Sequence, residues 1–389
     1  MKNRNLRRKV LAALCFAAFL TGCSRSPETP ALPTEADLVI CTDLDPGVYE
    51  PVVKEFEERT GLSVEVLAGT AEEIRNRFAQ EQADGSMAGT HGPDQSGEKK
   101  AGKQSAARGS ASDPAKQQEW DLAFGVSTEL LESCPDLWEP YESTQESMIA
   151  ERFCSSDHTW TAFSVLPLVI MYNTNVVTYR ELPSGWESLL EPRWQGRVAF
   201  ADPEVSDVSR AALAAAVLAS AEGENYPAAL AANRNGGVLD SLTQVNEGIL
   251  DGRYSVGVTT EEAAQALRSS GADIDYIYPE DGTLAVLEGT AVRAGCAHEE
   301  TAKQFLDFTA GRDVQKILSA SRSRRSVRTD VAAEKGMDPF ERIPFVDADA
   351  ETISTEKGKA LEVWEEAIRA GAGSGNSQPG TAPGKGGAS

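Results

Sequence analysis

The sequence is short of basic residues, and this shortage limits its partners. It contains 37 Lys and Arg against 60 Asp and Glu, which gives a formal net charge of −23. A chain this acidic repels a phosphate backbone instead of neutralising it. Nucleic acid is therefore not expected as a partner.

Long apolar runs are also scarce. The run from Val10 to Leu20 has about 11 residues, too few to span a bilayer, and it follows a cluster of Lys and Arg. This pattern is typical of a signal peptide over residues 1–23. It ends in Leu20-Thr21-Gly22-Cys23, which resembles the bacterial lipoprotein box. We predict lipidation at Cys23, and an anchor on the extracytoplasmic face of the bacterial cell membrane, which is the periplasmic side in a Gram-negative cell.

Motifs for metal binding and catalysis are missing as well. No Cys-x-x-Cys occurs, which argues against a zinc site, and no phosphate-cradling loop of the P-loop type is found. Gly125-Val126-Ser127-Thr128-Glu129 begins like a nucleophile elbow but lacks the closing glycine. We expect no enzymatic activity and no cofactor; a secreted hydrolase is the alternative.

The cysteines are few but lie in an oxidising compartment. Of six, one leaves with the signal peptide and Cys23 is lipidated, so four remain: Cys41, Cys134, Cys154 and Cys296. Four thiols allow three pairings. We predict a disulfide between Cys134 and Cys154, which would close a loop of about 20 residues and contribute about 3 kcal/mol. Cys41 with Cys296 is a second candidate pair.

Strand and helix patterns alternate through the rest of the chain. Apolar runs predict strands at 38–42, 62–67 and 120–124, with helices at 49–59 and from the capping box Thr70-Ala71-Glu72-Glu73 to about 80. This alternation indicates an α/β fold with a parallel sheet. Ligands of such sheets bind beyond the carboxyl ends of the strands, which points to Thr42 through Asp45 and to Gly125 through Thr128.

The most continuously apolar segment, Trp160 to Thr174, carries Pro167 in its middle. Proline has no amide proton to give to a sheet, so we predict two short strands that meet at a break. The simplest arrangement is two α/β lobes with a ligand cleft between them. Lobe 1 would comprise 37–165 and 280–318, and lobe 2 would comprise 166–279 and 319–370 with the C-terminal helices.

Three segments have little to bury. We predict a tether at 24–36, a disordered insertion at 82–118 and a disordered tail at 371–389.

One stretch carries a family resemblance. Trp186 to Pro203, with Pro192-Arg193-Trp194-Gln195-Gly196 at its centre, resembles the entry to the second lobe of extracytoplasmic solute-binding proteins of ABC importers. The similar group binds ferric ion and includes binders of phosphorylated sugars and phosphonates. Further similarity covers 38–66, 169–174, 256–264 and 278–308. The resemblance implies a two-lobed periplasmic-binding-protein type II fold and delivery of a small solute to an ABC permease, as a monomer. A receptor feeding a sensor kinase remains an alternative.

The resemblance is incomplete at the ligand. Ferric-ion-binding members supply a His, a Glu and a Tyr pair, since Fe(III) prefers anionic oxygen; those places hold Asp45, Val126, Glu262 and Ala263. The phenolates are absent, and the three histidines lie in the insertion (His91), a polar loop (His158) and a helix start (His298). We therefore expect a phosphorylated or phosphonate compound, or an iron complex. Direct ferric binding through Asp45, Glu261 and Glu262 is the alternative.

The predicted ligand residues lie at strand ends and helix starts. Ser206 and Ser209 open an alanine-rich helix whose N-terminus could receive an anion, or Ser206 and Ser209 serve only as helix caps. Thr260 and Glu261 resemble a cleft turn of the second lobe, or form a solvated helix start. The full predicted set is Thr42, Asp45, Ser127, Tyr172, Ser206, Ser209, Thr260 and Glu261. The basic run 322–328 either lines the second lobe, contacts the permease or is a surface charge run.

The lipoprotein box leads to a first prediction. A Cys23→Ala variant should accumulate in an unprocessed or a secreted form without lipid, because the thiol is the acylation site. Detergent phase separation measures this directly. Wild-type partitioning of the variant into the detergent phase would contradict lipidation at Cys23.

Overall fold

The computed structural model describes residues 36–88, 119–234 and 238–374. The predicted signal peptide with Cys23, most of the tether, most of the insertion and the tail beyond 374 lie outside the described residues. Within them, no helix is both long enough and apolar enough to cross a membrane.

The strands form an eight-stranded sheet in the described residues, with order β2-β1-β3-β8-β4-β6-β5 and with β7 also paired to β4. Strand β1 is parallel to β2 and β3, while β8 runs antiparallel between β3 and β4. The bounds are β1 Leu38–Thr42, β2 Val64–Ala68, β3 Leu122–Ser127, β4 Thr161–Asn173, β5 Val198–Ala199, β6 Val256–Thr260, β7 Ile274–Ile277 and β8 Ala285–Val292.

The α-helices cover both sides of this sheet. Their bounds are α1 Pro46–Thr60, α2 Ala71–Ala88, α3 Thr128–Glu132, α4 Asp207–Ala219, α5 Tyr226–Asn233, α6 Leu242–Leu250, α7 Glu261–Ser269, α8 Glu299–Thr309, α9 Arg312–Arg322 and α10 Ala350–Ser374.

Local sequence signals set several of these bounds. Helix α1 ends at Gly61, whose φ of 75° is the left-handed conformation that glycine adopts most easily. The predicted capping box is confirmed: the Thr70 amide donates to Glu73 Oε2 at 2.7 Å, and the Glu73 amide donates to Thr70 Oγ1 at 3.2 Å.

Two helices continue into segments that were predicted to be disordered. Helix α2 continues to Ala88 through the start of the 82–118 insertion, and α10 continues to Ser374 into the predicted tail. Neither added part contains proline, and the one in α2 begins with the helix formers Gln82 and Ala83.

Strand β4 differs from the predicted pair of short strands. It is a single strand of 13 residues, without a break at Pro167. Its partners nevertheless change there: residues 161–167 pair with β8, and residues 168–173 pair with β6 and β7. Proline donates no hydrogen bond, and the next amide, that of Leu168, donates to Leu284 O at 2.9 Å. The predicted boundary between the two lobes, at residues 165 and 166, lies next to this change of partners. The extents of the two lobes stay a prediction.

Aromatic residues fill the core on each part of the sheet. Phe56, Phe124 and Phe305 pack beside β1 and β3, with ring centroids 5.0 and 5.2 Å apart in the two pairs that Phe305 makes. Trp186 and Trp364 are buried in another cluster, where α4 and α10 meet.

The cysteines correct the predicted disulfide. Cys134 and Cys154 are free thiols in the structure. Cys134 is buried, while the Cys154 thiol points to its own local backbone and donates to Ala150 O at 3.8 Å. Cys41 and Cys296 are also free, and they belong to different hydrophobic clusters.

Candidate functional site

Arg324 is the centre of a group of carboxylates. Its Nε donates to Glu262 Oε1 at 2.8 Å, and its Nη1 donates to Ser164 Oγ at 3.0 Å and to the Glu288 carboxylate. The Ser164 hydroxyl also donates to Glu288. Only 6% of Arg324 is exposed. One guanidinium thus joins α7, β4 and β8.

Two further carboxylates interact with this centre. Asp43, directly after β1, lies within electrostatic range of Glu288, Asp207 and Arg324. We call Asp43, Asp207, Glu262 and Glu288 the carboxylate cluster. Among the described residues, no three His, Cys, Asp or Glu side chains are grouped closely enough to hold a metal ion. A metal cargo would therefore need these side chains to move together or to be joined by outside ligands.

Burial disfavours the charged form of two members of the cluster, Asp43 and Glu262. Burial raises the pKa of Asp43 to about 7, and the Glu288 and Asp207 carboxylates add to the rise, whereas Arg324 opposes it. Burial likewise raises the pKa of Glu262 to about 7; Arg324 opposes this and Glu288 adds to it. A ligand with positive charge would relieve the repulsion and displace the protons.

The predicted residue Asp45 has a different role. It is exposed and caps α1, since its Oδ1 accepts the Gly47 amide at 2.8 Å. Thr42 is fully buried: its hydroxyl donates to Phe124 O at 2.7 Å and accepts the Leu44 amide at 3.1 Å. Thr42 thus ties the ends of β1 and β3 together and presents no free group to a ligand.

Ser127 is adjacent to the carboxylate cluster. In the ladder between β3 and β8 it pairs with Glu288, and no capping hydrogen bond from its side chain to α3 is formed. Ser127 therefore lies at the site, unlike Thr42 and Asp45, the two predicted residues that precede it in the chain.

The start of α4 combines a cap with an unpaired hydroxyl. The Ser209 amide donates to Ser206 Oγ at 3.2 Å, so Ser206 is the helix cap. Ser209 is 0% exposed, and its hydroxyl has no hydrogen-bond partner among the described residues. The side chain of Asp207, in the same turn, accepts a hydrogen bond from Arg210. The negative charge of Asp207 beside this helix N-terminus is therefore partly compensated.

Two consecutive glutamates at the start of α7, Glu261 and Glu262, have different partners. Thr260 caps the helix, with its Oγ1 accepting the Ala263 amide at 3.3 Å. Glu261 is fully buried and accepts from Arg325 Nη2 at 2.7 Å, and from the Tyr278 hydroxyl. Glu261 is therefore a structural ion-pair partner in this state, not a free ligand group, whereas Glu262 faces Arg324.

Tyr172 lies away from the cluster. Along β4 it pairs with Val256, four residues from Leu168, which pairs with Thr260 at the site. At about 3.3 Å per residue this places Tyr172 about 13 Å along the strand. Burial raises its pKa, and a hydrogen bond to Asp275 adds to that rise. The structure therefore does not bring Tyr172 together with the other predicted residues.

The basic run 322–328 is not a surface charge run. Arg324, Arg325 and Arg328 are all buried. Arg328 donates to Gln145 Oε1 at 2.9 Å and to Ala310 O at 3.0 Å, while Val327 packs in the same core cluster as Trp160. The run thus lines the site through Arg324, and its C-terminal end lies against the first part of the chain.

Five residues of the site are absent from the predicted ligand set: Asp43, Ser164, Asp207, Glu288 and Arg324. Two of them lie in segments that the sequence did indicate, Asp43 in the strand end 42–45 and Arg324 in the basic run 322–328. A signal existed for Glu288, because it is the one charged residue in the apolar strand β8. A signal also existed for Asp43, which follows a buried strand two residues before the predicted Asp45.

The fold is that of a two-lobed solute-binding protein of the type II periplasmic class. Residues 134–351, more than half of the chain, match the bacterial extracellular solute-binding protein family, and the chain belongs to this family. It is 21% identical over 367 residues to Iron uptake protein A1 of Synechocystis sp., across 90% of this chain and 92% of that protein.

Solved structures show the same fold. The ferric binding protein of Campylobacter jejuni superposes with a TM-score of 0.68 at 18% identity, over 85% of this chain and 99% of that one. The periplasmic binding protein AfuA of Actinobacillus pleuropneumoniae, with fructose-6-phosphate bound, has a TM-score of 0.66 at 18% identity, over 85% and 98% of the two chains. The predicted fold class and family are confirmed.

The pair of Glu261 and Arg325 yields a stability prediction. Glu261→Gln should lower the free energy of unfolding by about 3 to 5 kcal/mol, because it leaves a buried guanidinium without its counter-charge. Urea denaturation of this variant measures the loss, and Glu58→Gln, at a side chain 61% exposed, is the control. Combining Glu261→Gln with Arg325→Met should cost less, since the double variant removes both charges. An unchanged midpoint for Glu261→Gln would contradict the structural role.

Asp43 predicts a pH dependence of the unliganded protein. Folding raises the pKa of this carboxyl from its ordinary value of 3.8 to about 7, chiefly through burial. The raised folded pKa contributes stability that is present below pH 3.8 and is lost as the pH rises through 7. Asp43→Asn should therefore match the wild type near about pH 4 and be more stable near about pH 8.

Urea denaturation at the two pH values tests this sign, with the exposed Asp136→Asn as the control. A variant that is less stable than the wild type at the higher pH would show that the Asp43 carboxylate is favourably paired instead.

Proposed function

We propose that this protein is the lipid-anchored, monomeric substrate-binding component of an ABC importer, with no enzymatic activity of its own. Membership of the extracellular solute-binding family supports this, as does the lipoprotein box at Cys23. A receptor for a sensor kinase would have the same fold. Neighbouring genes for a permease and an ATPase would favour import, and a neighbouring histidine kinase would favour sensing.

We propose that the cargo is ferric iron accompanied by a small oxyanion. The observation that carries this comes from three members of the carboxylate cluster, which belong to three separate elements: Glu262 and Glu288 share the buried guanidinium of Arg324, and Asp43 lies within electrostatic range of it. Hard Fe(III) prefers such oxygen donors. The cargo ion would replace Arg324 between Glu262 and Glu288, which frees the guanidinium for the oxyanion.

The start of α4 supports the second half of this cargo. Helix N-termini favour negative charge, and the Ser209 hydroxyl there is buried and without a partner. A free anion without a cation is a poorer fit, because Asp43 and Asp207 would repel it. This ranking replaces Asp45 and Glu261 of the predicted ferric set with Asp43 and Glu288, and it keeps Glu262.

A zwitterionic solute such as 2-aminoethylphosphonate is the second candidate. Its ammonium group would meet the carboxylate cluster, and its phosphonate would meet the α4 N-terminus with Ser206 and Ser209. The unpaired Ser209 hydroxyl favours this candidate as much as it favours ferric iron with an oxyanion.

Calorimetry decides between the two cargoes. Titrants are ferric citrate, Fe(III) with phosphate, 2-aminoethylphosphonate, a hexose phosphate and a polyamine. We expect heat from the ferric titrants and about a tenfold or greater loss of affinity in Glu262→Gln and Glu288→Gln, because each removes a charged contact. The iron-loaded protein should lack strong phenolate charge-transfer colour.

Glu58→Gln serves as the control, since its carboxylate is exposed on α1. Heat from 2-aminoethylphosphonate alone would select the second candidate. Ferric affinity that both cluster variants retain would contradict the carboxylate site.

A further inference from the structure

Arg152 differs from the paired arginines of the core, because its guanidinium forms no ion pair within the described part of the chain. It lies over aromatic rings instead, with its central carbon 4.4 Å from the Phe340 centroid, 5.2 Å from that of Phe153 and 5.8 Å from that of Phe345. The rings also contact each other: Phe340 stacks on Phe345 at 4.9 Å and meets Phe153 edge-on at 5.6 Å. This aromatic support fixes the guanidinium plane and leaves its N–H groups available.

Arg152 borders two cavities. One, of about 510 Å³, is lined by apolar side chains that include Trp160, Leu287, Phe345 and Ile353. The other, of about 560 Å³, lies along the segment from Arg325 to Glu341. Both volumes fall in the range of small-molecule sites, about 300 to 1,000 Å³. The first cavity combines these apolar walls with a charged border, where Arg152 and Lys357 are its cations.

The charges around the first cavity indicate where an acidic group would bind. Glu129 lines it but is already paired with Lys357 Nζ at 2.7 Å. Glu132, Glu151 and Asp349 also line this cavity and would repel an acid placed near them; Asp349 Oδ1 accepts the Thr352 amide at the start of α10. A supported, unpaired guanidinium is therefore the group that attracts a carboxylate, which it can bind through two parallel N–H donors.

We propose that the Arg152 cavity is a second ligand site, which binds a small carboxylic acid with an apolar or aromatic body. The carboxylate pairs with Arg152, and the body packs against Trp160, Phe345 and Ile353. The site differs from the cargo site in its charged groups, because none of Asp43, Glu262 and Glu288 lines this cavity; the two sites border each other at Ser127, which pairs with Glu288 in the sheet. It does not depend on the cargo proposed above.

Calorimetry with three related probes tests the site. Indole-3-acetate carries the carboxylate, indole-3-acetamide is neutral and tryptamine carries an ammonium group. We expect saturable binding of indole-3-acetate to the wild type and about a tenfold or greater loss of affinity in Arg152→Gln or with the amide. Tryptamine should not bind. Arg342→Gln, at a side chain 74% exposed, should leave the affinity unchanged.

Two further variants make the outcome specific. Arg152→Lys keeps the charge but loses the planar fork, so its affinity should fall between those of the wild type and Arg152→Gln. Glu262→Gln should not alter binding of indole-3-acetate. The proposal is overturned if indole-3-acetate does not bind saturably to the wild type, or if Arg152→Gln binds it with equal affinity. A loss of affinity for indole-3-acetate in Glu262→Gln would also overturn it, because the acid would then bind in the cargo site. Thermal melting checks that each variant is folded. If Arg152→Gln does not fold, the comparison of indole-3-acetate with indole-3-acetamide on the wild type still tests the proposal.

Discussion

The sharing of one buried guanidinium among several carboxylates is the constraint on which the site depends. Glu262 is the second residue of α7, Glu288 lies in β8 and Asp43 follows β1, so each is brought in by a different element. Burial and the nearby Glu288 carboxylate penalise the charged forms of Asp43 and Glu262, and Arg324 offsets part of that penalty. Without it, the elements would have to separate or the acids would have to take up protons. A cargo cation that offers more compensation than Arg324 can use the same acids.

The neighbouring ion pair of Glu261 and Arg325 holds Glu262 and Arg324 in position. Arg325 follows Arg324 in sequence and holds Glu261, the residue before Glu262, through hydrogen bonds at 2.5 and 2.7 Å. Two consecutive arginines thus meet two consecutive glutamates, one pair fully buried and one at the site. The buried pair fixes the start of α7 against the segment after α9. The second pair, Glu262 and Arg324, is then the one that separates when the cargo binds.

Strand β4 explains how one sheet serves both parts of the molecule. Its first seven residues join β8, and its last six join β6 and β7, with the change at Pro167. Ser164, on the first part, therefore lies beside Glu288, while Leu168 lies beside Thr260 at the start of α7. The site forms where the strand changes partners, and side chains from both sets of strands meet there.

Sequence patterns predicted what depends on near neighbours and missed what depends on distant ones. The Thr70 capping box and the end of α1 at Gly61 follow from local chemistry, whereas the predicted break at Pro167 was wrong, because β4 passes through it as one strand. Sequence alone could not say which of Glu261 and Glu262 is buried, because the answer depends on Arg325, 64 residues away. The basic run looked like a surface feature for the same reason: its carboxylate partners lie far away in the chain. Tyr172 was predicted to lie at the site because it belongs to the apolar segment 160–174. The strand register instead puts it towards the end of β4 that is farther from the site.

The crystal structure of the protein loaded with Fe(III) and phosphate tests the central claim most directly. The account predicts iron bound by oxygens of Asp43, Glu262 and Glu288, with the Arg324 guanidinium displaced from Glu262 and Glu288 towards the phosphate. It also predicts that the pair of Glu261 and Arg325 stays intact. Iron bound elsewhere, with Arg324 still between Glu262 and Glu288, would contradict it.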